Sequence, residues 1–218
     1  MSSVDREKIA KAEQFLREKL DSGEYMSAHP EEKAYRLEHS YRVANIGRKI
    51  AQAEGFDETE MVIACLLHDV SYCEEFDENG WKEHGRRAAQ ISRPFLEDLG
   101  LAPDCIQDIC YGIAIHVDDK ADFDGERTPF ALSVGDADNI DRFDAYRIHE
   151  ILLHDEFLKM SLDEKNEYTA GRIIRLRGLV DMEMGTAAAR EIWQDRIGFY
   201  ISFYEKLAAQ LKSSKEII

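Results

Sequence analysis

The sequence predicts an all-α protein, a helical bundle in a single domain. Apolar residues recur at helical spacing in segment after segment, as in Ile9, Ala12, Phe15, Leu16 and Leu20, or Ile106, Ile109 and Ile113. Prolines and glycines punctuate these segments: Pro30, Pro103 and Pro129 stand at starts, and Gly23, Gly55 and Gly100 at ends. No alternating stretch is long enough for a useful strand. At 218 residues and 44% hydrophobic content, the chain can bury one sizeable core.

Val4–Leu20 reads as an amphipathic packing helix closed by Asp21-Ser22-Gly23. Pro30–Glu54 follows, with a buried stripe of His39, Val43, Ile46, Ile50 and Ala53. Asp57 and Glu60 have the spacing of a capping box ahead of Met61–Asp69, an apolar run ending in His68 and Asp69. Ser71–Gly80 is a polar loop bearing Glu74, Glu75, Asp77 and Glu78 beside that doublet. Trp81–Leu99 returns to helix, with His84, Ala88 and Ile91 on one face and Pro94 expected to kink or restart it. In Pro103–Val117 the apolar row ends in His116, and the acidic stretch Asp118–Arg127 suits a rim or lid. After Thr128-Pro129 comes a helix in which Asp136, four residues beyond Leu132, is expected to face inward, with Asp138, Asp141 and Asp144 outward. Tyr146–Met160 and Glu164–Val180 read as helices, and Gly185-Thr186 opens a last helix with an aromatic face from Ile192 to Leu211. The expected parts are a packing helix (1–26), a helical core (27–145) and C-terminal helices packing on the same domain (146–218).

The formal net charge of −16 argues against nucleic-acid polymers and anionic membranes as partners. A small anionic substrate stays compatible, because a local metal site outweighs the global field. Cys65, Cys73, Cys105 and Cys110 form no CxxC pair, which fits a reducing, cytoplasmic compartment. The N-terminus has no basic region followed by an apolar run, so no signal peptide is expected, and no stretch is long enough to span a bilayer.

Burying His68 and Asp69 side by side is costly without partners. A divalent metal offsets that cost, and imidazole with carboxylate suits such an ion. His39, His68, Asp69 and Asp136 are the proposed ligands, leaving positions open for water and substrate. A second ion would use Asp69 as a bridge, with His84 and His116 as its imidazoles; phosphate contact or core packing is the other reading of these two. Arg42, Lys82 and Arg86 are candidate anion contacts, against a bundle salt bridge for Arg42 and a solvated face for the others.

These residues resemble the signature of the HD-domain superfamily of metal-dependent phosphohydrolases. His39-Ser-Tyr-Arg42-Val43 is similar to its first motif and Leu66-Leu67-His68-Asp69-Val70 to its second. His84-Gly85 and Ile115-His116 resemble its intermediate histidines, and Val134-Gly135-Asp136-Ala137-Asp138 its last motif. The resemblance runs from about Tyr35 through Phe143, and more faintly beyond. It implies an all-α fold of HD-domain type and divalent-metal hydrolysis of a phosphate ester of a small molecule, with a nucleotide as expected substrate. Asp69, His84 and His116 are the implied catalytic residues. Manganese, cobalt, nickel, iron and magnesium all suit the ligands. The chain departs from the family at Tyr72, where many hydrolase members carry Lys or Glu. Two other readings remain: a di-iron oxygenase of the same superfamily, and a sensor that binds a nucleotide without turnover. The aromatic last helix makes a homodimer a further expectation.

Overall fold

The computed structural model describes residues 2–77 and 80–214, and every regular element among them is helical. Local signals set most boundaries. Helix α1 (Ser3–Ser22) is opened by a reciprocal cap, Ser2 accepting from the Asp5 N–H while Asp5 accepts from the Ser2 N–H. A five-residue helix, α2 (Glu24–Ala28), was not expected; it is too short to show a period and is anchored by buried Met26. Helix α3 (Pro30–Glu54) begins at its proline and stops at Gly55, whose φ of 77° favours glycine. Asp57 caps α4 (Glu58–Leu67) by accepting from the N–H groups of Thr59 and Glu60 at 2.8 and 3.0 Å.

Helix α5 (His84–Asp98) begins three residues later than expected, because Gly80–Glu83 forms a 3-10 turn. It continues through Pro94 as one helix, so the proline does not restart it. Helices α6 (Pro103–Ile115) and α7 (Pro129–Asp141) lie where the prolines put them. Helix α8 (Ala145–His154) is shorter than expected: Glu156 takes a left-handed φ of 51°, and a 3-10 turn at Phe157–Lys159 follows. Ser161 and Glu164 cap α9 (Leu162–Arg177), and α10 (Ala187–Lys212) closes the described chain.

The chain forms two compact units. One comprises Met1–Asp141 with Met184–Ala189, the other Arg142–Glu183 with Arg190–Ile218. In the first, α4 packs against α1, α3, α6 and α7, and every residue from Met61 to Leu67 is buried. Each large aliphatic among them stabilises the unit by about 1.5–3 kcal/mol through burial alone. A Cβ at Gly47 would lie 2.5 Å from Cys65 Sγ, so glycine sets the close approach of α3 to α4. In the second unit Trp193 meets Phe143 edge-on at 4.6 Å and donates its indole N–H to the Leu179 carbonyl at 3.1 Å. Trp193 and Tyr204 are fully buried, which makes the aromatic face of α10 core.

The four cysteines are free thiols. Among the described residues no helix is long and apolar enough to cross a membrane. Glu78 of the polar loop lies outside the described residues.

Candidate metal centre

Helix ends build this site. His68 follows α4 directly, His84 is the first residue of α5, and His116 follows α6. Each of these three rings donates Nδ1–H to the carbonyl three residues before it: His68 to Cys65 at 2.8 Å, His116 to Ile113 at 2.7 Å, and His84 to Trp81. His39, inside α3, instead has its Nδ1 2.8 Å from Asp141 Oδ2. With Nδ1 engaged, every ring turns Nε2 inward, the arrangement by which partners of the far nitrogen orient metal-ligating histidines. Gly85 permits the junction of α5 with α6, since a Cβ there would lie 2.8 Å from the Ala114 carbonyl.

The four Nε2 atoms converge on Asp69 in two pairs. His39 and His68 each lie 3.6 Å from Oδ2, while His84 and His116 lie 3.2 and 3.7 Å from Oδ1. Within each pair the Nε2 atoms approach to 3.2 Å (His39, His68) and 3.1 Å (His84, His116). Lone pairs facing at that distance repel unless a proton or a cation lies among them. About 3 Å is also the donor–donor edge of an octahedron with bonds of about 2.1 Å. The donor set therefore fits divalent ions. Within 4.8 Å of one another lie the donor atoms of three groups: His39, His68 and Asp69; His68, His116 and Asp138; and Asp69, His84 and His116.

The electrostatics follow from burial and partners. Burial drives the His68 ring down to about 4, so its lone pair is available. Burial also opposes charge on His39, but hydrogen bonds to Asp138 and Asp141 and the Asp69 carboxylate together raise it to about 9. Asp69 is held well below the usual carboxylate range: burial pushes it up, and the surrounding histidines outweigh that.

The residues expected here divide into those brought together and those placed elsewhere. His39, His68, Asp69, His84 and His116 share the cluster. Asp136 does not: it faces inward, but its Oδ2 accepts from the Gly185 N–H at 2.8 Å, and burial raises its carboxyl to about 6. Asp138, expected on an outer face, is 2% exposed with Oδ1 3.1 Å from His39 Nε2. Asp141, also expected outside, is buried against His39. Counting from Leu132 caused the error, because α7 is buried nearly all round; Val134, four residues before Asp138, is the better origin.

Arg42 Nε is 2.9 Å from Asp141 Oδ1, and Arg86 Nη1 is 2.9 Å from Asp118 Oδ1. Lys82 is exposed beside Trp81, and Glu74 pairs with Arg87 at 2.6 Å. Arg36, not singled out from the sequence, reaches Asp69 Oδ2 at 3.1 Å. Its place three residues before His39, on the same helical face, was the available signal.

The HD domain family model matches residues 36–146, just over half of the chain. No curated protein matches. Two solved structures are similar over nearly the whole length. A predicted HD superfamily hydrolase from an uncultured Thermotogales bacterium is 19% identical, covers 92% of this chain and 91% of its own, and superposes with a TM-score of 0.62. An HD-superfamily hydrolase from Bacillus thuringiensis is 21% identical, covers 96% of this chain and 99% of its own, and has a TM-score of 0.65. At these identities the two structures speak for the fold, and the matched stretch contains every histidine and carboxylate of the cluster: the chain belongs to the HD-domain family.

Proposed function

We propose that the protein is a metal-dependent phosphohydrolase acting on a phosphate ester of a small molecule, with nucleotides as the expected class. The observation that carries this reading is the pairing of four Nε2 atoms on the two oxygens of Asp69. His39, His68, Asp69 and Asp138 would hold one divalent ion, and His84, His116 and the other oxygen of Asp69 a second. Ions held there would lower the pKa of bound water and polarise a phosphoryl oxygen.

The chain's own residues prepare that chemistry. Asp141 fixes the His39 ring, and Arg42 in turn fixes Asp141. The carbonyls of Cys65, Trp81 and Ile113 keep the other rings from turning. Asp69 and Asp138 supply negative charge in a place that burial keeps dry. HD-domain membership supports hydrolysis, and the two similar structures carry the hydrolase description in their own names.

The test is a screen of phosphomonoesters and phosphodiesters, nucleotides included, with protein loaded in turn with manganese, cobalt, nickel, iron and magnesium. Phosphate release that needs metal and disappears in Asp69→Ala supports the assignment; activity retained in that variant sinks it. The two-sided arrangement about Asp69 also favours a second reading, a di-iron oxygenase. Iron-dependent oxygen uptake without phosphate release would put that reading first.

A further inference from the structure

Arg36 approaches the cluster from α3, one turn before His39. Its Nη1 donates to Asp69 Oδ2 at 3.1 Å, while Nε and Nη2 reach Glu32 Oε1 at 3.4 and 3.2 Å. The guanidinium carbon lies 3.5 Å from the centre of the Tyr72 ring, and that ring lies 4.9 Å from the His84 ring. The Arg36 side chain remains 19% exposed, so the fork joins the buried carboxylate to the open side of the site.

We propose that Arg36 binds the phosphoryl group of the substrate, and that Tyr72 is a positioning residue holding the guanidinium flat. The proposal rests on the phosphohydrolase reading and deepens it. If Asp69 Oδ2 is given to an ion, a dication and a guanidinium compete for one oxygen and repel each other. A dianionic phosphoryl group placed between them satisfies both, and a planar fork suits its oxygens. The other candidate cations are committed elsewhere or stand in solvent: Arg42 pairs with Asp141, Arg86 with Asp118, and Lys82 is exposed. The Tyr72 ring lies against the guanidinium and Glu32 fixes its far edge, which lowers the entropy lost when an anion binds.

The test uses manganese-loaded full-length protein. Inorganic phosphate is titrated calorimetrically, metal content is measured in parallel, and KM and kcat are read with p-nitrophenyl phosphate. Arg36→Gln is expected to keep its manganese and bind phosphate at least ~10-fold more weakly, the loss of a charge-assisted pair. Tyr72→Leu should raise KM more than it lowers kcat, and Tyr72→Phe, which keeps the ring under the guanidinium, should recover most of that loss. Unchanged phosphate affinity in Arg36→Gln at full manganese content overturns the proposal and leaves the phosphohydrolase reading standing. A parent protein that takes up manganese but binds no phosphate overturns both. Should Arg36→Gln lose manganese, Arg36→Lys decides, because it keeps the charge beside Asp69 without the fork. Weakened phosphate binding at full metal content then upholds the proposal; unchanged binding, or loss of metal here too, overturns it.

Discussion

The two sides of Asp69 are built from the same atoms and supported differently. On one side His39 and His68 are joined by Asp138, and the His39 ring is gripped by a second carboxylate, Asp141. On the other, His84 and His116 face Asp69, and their Nδ1 atoms are held by the backbone carbonyls of Trp81 and Ile113. A carboxylate behind an imidazole makes it a stronger base, and an added anionic ligand raises affinity for a dication. The first side should therefore hold its ion tightly, and the second side should exchange it. Asp69 belongs to both, and Asp138, grouped with His68 and His116, also reaches across.

The largest effect is expected from removing that shared group. Asp69→Ala should strip metal from both sides and lower activity by more than ~100-fold, since even outer partners of ligands are worth ~10–100-fold. Metal content by mass spectrometry beside turnover checks this, and a variant that retains one equivalent would mean the two sides are independent. Next comes a matched pair on α7. Asp138→Ala should lose the tightly held ion, while Asp136→Asn should keep it. Equal loss in both would place the ligand back at Asp136.

His116→Ala is expected to be selective. It should keep about one ion per chain and lose the exchangeable one, with activity recovered in part by excess metal. Loss of the tight ion in this variant would remove the distinction between the two sides.

These contrasts separate what the sequence made legible from what it did not. The helical periods placed His39, His84 and His116 at the ends or middles of apolar rows, and burial confirms those positions. The family motifs supplied their order. Asp138 and Asp141 were misplaced because α7 has buried residues on nearly every face, so a one-sided stripe drawn from Leu132 pointed to the wrong carboxylate. Spacing put Arg36 on the face of His39, but its contacts to Asp69 and Tyr72 are made across the fold, and these a helical period does not show. Helix α2 was too short for any periodic signal.

The smallest expected effect concerns stability. Burial raises Asp136 from 3.8 to about 6, with the Gly185 N–H opposing. The folded state thus favours the protonated acid: its contribution is whole below about pH 4 and is lost as pH climbs through about 6. In chelator-treated protein Asp136→Asn should therefore be the more stable at about pH 8, by no more than ~3 kcal/mol, and nearly equal to the parent below about pH 4. Thermal melts at the two pH values measure the difference, and a gain confined to acid would contradict the assigned environment of Asp136.

Three of the four rings are aimed by carbonyls within their own turn of chain. Each is a short-range device, complete as soon as its helix end has formed. His39 differs, for its orientation comes from a residue 102 positions away. During folding, three of the rings can be set on the timescale of single helices, while the fourth waits for α3 and α7 to close on each other. The His39 side of the cluster is thus completed only when two helices far apart in the sequence have met, whereas the other three rings are aimed before any such meeting.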